Sequence, residues 1–244
     1  MPACICSVCR SGKEKNIRTR TSALISAENG TQILIDTSSD FRQQALRRAI
    51  QRIDAVLYTH YHADHILGLE DLRGYNFAQQ GPIPAYGTQN TISEIRRCFN
   101  YVFEPNPNYD GGGVPQIETH LIDDTTPFEV KGFLVRPFQL QHGLTVVTGY
   151  RIGEMAYATD CKILPEATYE TLTGVRVLVL DGLRYEPHKA HLTIPEACAV
   201  AQRISAERTF LTHMTHSIDY DDVSAKLPAG VELAYDGLVV DFKY

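Results

Sequence analysis

Residues 60–65 read His-Tyr-His-Ala-Asp-His and directly follow the apolar run Ala-Val-Leu-Tyr-Thr at 55–59. Three imidazoles and a carboxylate within six residues are a donor set that packing alone does not explain. His60 and His62 are two apart, so in extended backbone both side chains point the same way. Asp64 and His65 then turn toward a second point. Such a cluster can grip two metal ions side by side, which makes metal-assisted hydrolysis the leading chemistry. Neutral imidazoles and carboxylates suit Zn²⁺, Mn²⁺ or Fe²⁺. Two such ions roughly 3.5–4 Å apart can share a water, bring its pKa near neutrality and bind the oxygens of the electrophile that the bridging hydroxide attacks.

A dinuclear centre needs further ligands. The chain offers His142 after residues 138–141, Asp160 in Ala158-Thr-Asp, and His213 in Leu211-Thr-His. Singly, each is more often an ordinary core or surface residue. Jointly, at the ends of apolar runs beside the 60–65 cluster, they are candidate ligands. A second group is Cys4-x-Cys6-x-x-Cys9, three of the six cysteines. A closed tetrahedral Zn²⁺ site wants a fourth ligand, and His216 could supply it; the alternative is redox-active or incidental thiols. In His213-Met-Thr-His216 the two rings could face different metals. Cys98, Cys161 and Cys198 read as small core residues. In the segment 181–193, His191 stands just before a helix start. It is a candidate general acid for a departing alkoxide or a donor to a phosphoryl oxygen, against the plainer reading of a packing or capping histidine.

The elements that must position these groups follow a pattern. Apolar runs of strand length end in polar residues: 33–35 in Asp36, 55–59 in His60, 155–159 in Asp160, 177–180 in Asp181, and 210–212 in His213. Ligands at the same end of several strands would converge on one sheet edge, where loops build sites over a rigid scaffold. Helices are expected over 40–52, with Asp40 as N-cap, and over 65–79, 90–98 and 194–204. The last has Thr193 as cap, Pro195 in the first turn and Glu196 at the third position. Mixed strands and helices predict a layered α/β protein. Residues 104–116 carry three prolines and three successive glycines and read as a long loop, either a lid or an insertion. Asp36, Asp40, Arg42, Asp71, Arg73 and Asn76 flank the cluster as supporting groups, or as caps and surface pairs.

Length and composition bound the rest. The 244 residues, 43% apolar and 21% charged, suit one domain over 1–244 with a Cys-rich zinc arm at 1–12. No apolar stretch approaches the ~18 residues of a membrane span, and Met1-Pro2-Ala3 leads straight into cysteines rather than a signal sequence, so a cytoplasmic enzyme is expected. A net charge of −6 argues against a broad polynucleotide footprint. It leaves room for a small anionic substrate, because bound divalent ions reverse the local charge.

With these residues in hand, the chain resembles the metallo-β-lactamase fold superfamily over nearly its whole length. The match is His60-x-His62-x-Asp64-His65, then His142, Asp160 and His213 in order. The resemblance implies a four-layer αββα sandwich, two sheets face to face with helices outside. It also implies a ligand division: His60, His62 and His142 on one metal, Asp64, His65 and His213 on the other, and Asp160 bridging. Residues 59–68, residues 211–216 and the cysteine cluster further resemble the phosphoribosyl cyclic phosphate phosphodiesterase family of the carbon–phosphorus lyase pathway. By position His191 corresponds to that family's proton-donating histidine, which with Asp64 makes the candidate catalytic pair. The family's activity implies hydrolysis of a small cyclic phosphodiester, two divalent metals with Mn²⁺ preferred, a separate structural Zn²⁺ on Cys4, Cys6, Cys9 and His216, and often a homodimer. Members carry a strand before the cysteines; here Met1 stands almost at them, which leaves the first N-terminal strand open. The rival readings are a tRNA 3′-processing-type nuclease, a thioesterase or a lactonase on the same scaffold, and, more remotely, a metal-binding scaffold without catalysis.

Overall fold

A computed structural model of the chain describes residues 1–105 and 111–244. The chain divides into two compact units, one of Arg20–Asp124 with Val130–Gly132 and one of Met1–Thr19, Thr125–Glu129 and Phe133–Tyr244. Each is built on a sheet, as the α/β expectation requires.

In the Arg20–Asp124 unit, strands β1 (Ala23–Ser26), β2 (Gln32–Ile35), β3 (Ala55–Leu57), β4 (Ile83–Gly87) and β5 (Ile117–Leu121) lie in that order in a five-stranded sheet. β1 and β2 form an antiparallel pair; β2 through β5 run parallel. All three residues of β3 are fully buried. A parallel strand covered on both faces needs a continuous apolar run rather than alternation, which Ala55-Val-Leu57 provides. The core joins Leu34, Val56 and Ile83 to Phe41, Leu69 and Leu72 from the helical segments.

Two helices differ from expectation. The first spans Phe41–Arg47 rather than 40–52. Asp40 does not cap it with its side chain; its Oδ2 accepts the backbone N–H of Arg20 instead, at 2.8 Å. The segment 65–79 is no single helix but a turn at Ala63–Ile66, a 3₁₀ turn at Leu69–Asp71 and a helix at Leu72–Gln79. Gly68 sits at the break. A Cβ there would lie 2.2 Å from the Ser38 carbonyl oxygen and 2.8 Å from Phe41 Cβ, so the chain must bend where its backbone touches its neighbour. Of the predicted loop at 104–116, residues 106–110 lie outside the described residues, and with them the choice between lid and insertion. Helix Gln89–Cys98 matches expectation.

The other unit carries a seven-stranded sheet in the order β12-β11-β10-β9-β8-β7-β6. These strands are β6 (Phe128–Val130), β7 (Phe133–His142), β8 (Thr145–Ile152), β9 (Met155–Ala158), β10 (Val177–Asp181), β11 (Arg208–Thr212) and β12 (Val231–Leu233). β9 through β12 are parallel, while β8 is antiparallel to both β7 and β9. β7 therefore points the same way as β9, and the C-terminal ends of β7, β9, β10 and β11 share one edge. That edge is where open α/β sheets bind ligands. Helix Ile194–Ile204 starts as expected: Thr193 Oγ1 accepts the Glu196 N–H while Glu196 Oε2 accepts the Thr193 N–H at 2.8 Å, a reciprocal capping box. The box fixes the turn that carries His191. No helix among the described residues is long and apolar enough to cross a membrane.

Candidate metal centre

β3 ends at Leu57 and hands the chain to the 60–65 cluster. His60 and His62 follow it, His62 in extended backbone, with ring centroids 4.5 Å apart. The helical turn Ala63–Ile66 then supplies Asp64 and His65, placing the His65 ring 4.2 Å from that of His60. His65 Nε2 lies 3.7 Å from Asp64 Oδ2.

The proton positions follow from the hydrogen-bond network. Asp36, fully buried at the end of β2, accepts the Thr59 N–H on Oδ1 and both the Thr59 hydroxyl and His65 Nδ1–H on Oδ2, all at 2.8 Å. The Thr59 hydroxyl has one proton and spends it on Asp36. It must therefore accept from His60 Nδ1, 3.0 Å away. Both His60 and His65 are thus protonated on Nδ1 and offer the Nε2 lone pair, the form a metal ligand needs. Burial pushes the Asp36 carboxyl up from its ordinary pKa, and the pull of His65 and Thr59 opposes that rise.

In the other unit, His142 closes β7 and Asp181 closes β10, while Asp160 and His213 follow β9 and β11. His142 donates Nδ1–H to the Ala190 carbonyl at 2.9 Å, leaving Nε2 to face Asp160 Oδ2 at 3.9 Å. Asp160 Oδ1 faces His213 Nε2 at 3.3 Å. The two oxygens of one buried carboxylate thus address two different imidazoles, the disposition a bridging ligand has. Asp36, Asp160 and His213 all have positive φ, at 59°, 54° and 60°. Left-handed backbone at non-glycine residues is costly, and here it occurs at two candidate ligands and at the carboxylate that bonds His65.

His191 is buried beside this group. Its Nδ1 lies 3.2 Å from both oxygens of Asp181, and Asp181 Oδ2 also accepts the Leu192 N–H at 2.9 Å. The ring stacks on His213 at 4.8 Å and meets His142 edge-on at 4.6 Å. Desolvation raises the pKa of Asp181, partly offset by the His191 hydrogen bond. His188, partly covered, stands 5.0 Å from His191, centroid to centroid. Partial burial, with His191 and Arg184 nearby, holds its pKa below the ordinary value.

The cysteine arm forms a separate group. One ligand atom from each of Cys4, Cys6, Cys9 and His216 falls within a 4.8 Å cluster. Cys4 Sγ and Cys6 Sγ lie 3.3 and 3.5 Å from His216 Nδ1. The Cys9 N–H, then His216 and Cys4, pull the Cys6 thiol down to about 6, while desolvation pushes Cys9 up. Three thiols and an imidazole at this spacing fit Zn²⁺.

Residues 31–214 match the Beta-lactamase superfamily domain. The chain belongs to the beta-lactamase superfamily. Its two-sheet α/β architecture is the metallo-β-lactamase fold. It is 37% identical to a crystallised diphosphatase of the PhnP family, with a TM-score of 0.91 over 99% of this chain and 92% of that one. It is 39% identical over 244 residues to the octanoyltransferase of Porphyromonas gingivalis, a match covering 98% of this chain and 49% of that protein. A ribonuclease Z of Picosynechococcus is 29% identical over 163 residues, 62% of this chain and 49% of its own length. The chain thus spans about half the length of these two curated relatives.

Among the flanking polar residues, Asp36 bonds a candidate ligand. Arg42 and Asp71 form an exposed pair at 3.4 Å, Arg73 reaches the Gly113 carbonyl at 3.2 Å, and Asn76 bonds the backbone of Gly81 and Gln116. Sequence reasoning noted Asp181 as a strand-end carboxylate without connecting it to His191. It missed Thr59 as a proton-ordering group and the Ala190 carbonyl as the partner of His142. Thr59 was legible as a hydroxyl beside a ligand; a backbone carbonyl leaves no mark in side-chain identity.

Proposed function

We propose that the chain hydrolyses a small phosphodiester or diphosphate by attack at phosphorus with the aid of two divalent metal ions. His60, His62 and His142 would hold one ion, Asp64, His65 and His213 the other, and Asp160 would bridge. The donor chemistry fits: imidazole nitrogens and carboxylate oxygens suit Mn²⁺, Zn²⁺ or Fe²⁺. When bound, the ions would supply a water acidic enough to attack at neutral pH and would offset charge on the phosphoryl oxygens. The observation that carries this reading is the Asp160 carboxylate, whose oxygens face His142 and His213 separately.

The chain's own residues do the rest. Asp36 and Thr59 fix the tautomers of His65 and His60, and the Ala190 carbonyl fixes that of His142. Asp181 accepts from His191 Nδ1, and when the ring carries a second proton on Nε2 that proton can be given to the departing oxygen. The likeness to a PhnP-family diphosphatase supports phosphorus chemistry, with a cyclic phosphodiester of a sugar as the finer expectation. Cys4, Cys6, Cys9 and His216 would hold a structural zinc. A small substrate, a cytoplasmic setting and a homodimer complete the proposal. Replacing His60 or Asp160 by Ala should lower hydrolysis of bis(p-nitrophenyl) phosphate by orders of magnitude, with metal content measured in parallel. Undiminished turnover in metal-stripped protein would reject it.

One observation favours a second reading: the 39% identity to a protein named for octanoyl transfer. Octanoyl thioester hydrolysis exceeding phosphodiester hydrolysis in kcat/KM would decide for it.

A further inference from the structure

Away from the metal centre, β7 and β8 set two arginines directly opposite each other. Arg136 and Arg151 are partners in the antiparallel register, so their side chains leave the same face of the sheet as neighbours. Like charges so placed repel, and a chain with 29 acidic residues against 23 basic ones has carboxylates to spare. Yet neither guanidinium is paired with a carboxylate among the described residues. Arg151 donates Nε–H to the Gly153 carbonyl at 3.0 Å and Nη1–H to the carbonyls of Thr171 and Thr173 at 2.5 and 2.8 Å. Three neutral acceptors thus hold it at the C-terminal end of helix Glu166–Thr171 without cancelling its charge. Partial burial and the nearby Arg136 keep its pKa below the ordinary guanidinium value. Both arginines line a cavity of about 370 Å³, walled by Thr125, Pro127, Glu170 and Thr171.

We infer that Arg136 and Arg151 form an anion site for a small phosphate-class oxyanion, either inorganic phosphate or the phosphate of a monoester. An oxyanion between the two side chains would offset both positive charges at once and remove the repulsion across the strand pair. Guanidinium forks match the oxygens of a phosphate, and charge-assisted hydrogen bonds of this kind are about twice as strong as neutral ones. The fixed Arg151 loses little freedom on binding, while the exposed Arg136 can adjust to the ion. Glu170 also lines the cavity and bonds neither arginine, so its charge opposes the anion and moderates the affinity. Arg136 stands six residues before His142 on β7, about 20 Å along the strand. The site uses no candidate metal ligand and does not depend on the phosphodiesterase reading.

The test follows the Arg136 and Arg151 Nε–H signals by ¹⁵N–¹H NMR while zinc-loaded protein is titrated with sodium phosphate or with glycerol 3-phosphate. Chloride keeps the ionic strength constant, so that screening does not change during the titration. Both signals should move together to saturation with one Kd in the millimolar range. Local signals separate this site from phosphate held at the metal centre. Arg136→Gln, a change at an exposed position, should weaken that Kd by about tenfold, the worth of a charge-assisted bond. Glu170→Gln should tighten it by about threefold, the scale of one exposed charge. Tighter binding of glycerol 3-phosphate assigns the site to a monoester, and tighter binding of phosphate assigns it to the free ion. Shifts that rise without saturating, or a Kd equal in wild type and Arg136→Gln, overturn the inference.

Discussion

The His191–Asp181 pair shows how a single buried carboxylate can define a role. Asp181 lies at the end of β10 with no exposed surface, and burial raises its pKa. Its hydrogen bonds to the Leu192 N–H and to His191 hold the imidazole in one tautomer. General acid help matters most when the leaving group is poor. Asp181→Asn should therefore lower kcat for methyl phenyl phosphate by about 10²-fold while changing bis(p-nitrophenyl) phosphate turnover far less. Steady-state kinetics on both esters check this, and an equal fall on the two would assign Asp181 to structure alone. Asp36 acts differently, through the His65 ring. Asp36→Asn keeps an acceptor for the Thr59 N–H but weakens the hold on His65 Nδ1. Groups that orient metal-ligating histidines are typically worth 10–100-fold in affinity. A loss of about that size in zinc affinity, read by chelator competition, is expected with folding retained.

At the scale of elements, strand ends deliver the ligands and tight backbone contacts aim them. Gly68 is the clearest case, since its hydrogen bond to the Thr37 carbonyl at 3.0 Å seats the end of the His65 turn on the loop after β2. Gly68→Ala would push a methyl into the Ser38 carbonyl and should cost about 1–3 kcal/mol or more of stability, read as a lowered urea midpoint with little change in m. A midpoint within error of wild type would show that the contact relaxes freely. This position also marks what the sequence left illegible. The apolar runs ending in Asp36, His60, Asp160, Asp181 and His213 appeared as strands because burial on both faces demands such runs. The start of helix Ile194–Ile204 was legible because Thr193 and Glu196 satisfy each other's backbone donors locally. The break at Gly68 was not, because its cause is a residue 30 positions upstream, Ser38, rather than local propensity. The Asp40 cap failed for a similar reason: Arg20 N–H, distant in sequence, claims its carboxylate.

At the scale of the whole chain, the N-terminal residues are held against a segment about 200 residues away by more than the cysteines. Asn16 bonds Asp219 Oδ2 and the Tyr220 N–H, both at 2.9 Å, and Arg18 donates to the carbonyls of Thr215 and Ile218 at 3.3 and 2.6 Å. Lys13 pairs with Asp219 and Asp221. These contacts bracket His216 and join the arm to residues 215–221 independently of the cysteines. Closing a loop of this length is entropically expensive, and a preformed latch lowers what metal binding must supply. It follows that the arm stays docked in chelator-treated protein, with its cysteines pre-assembled rather than scattered. The Cys6 thiol, drawn down to about 6 by the Cys9 N–H, His216 and Cys4, should then be thiolate through most of the neutral range. A lowered pKa means the reactive form is lost as pH falls through about 6 and is already near full above pH 7. Iodoacetamide labelling of metal-free protein, read by mass spectrometry from pH 5 to 9, should reach half its plateau rate at Cys6 near pH 6. Cys161, buried between two carboxylates and raised well above the ordinary thiol value, should stay unlabelled until unfolding. Added Zn²⁺ should protect Cys4, Cys6 and Cys9 together. A Cys6 half-point near that of a free thiol, about 8.5, would mean that zinc assembles the arm instead of finding it assembled.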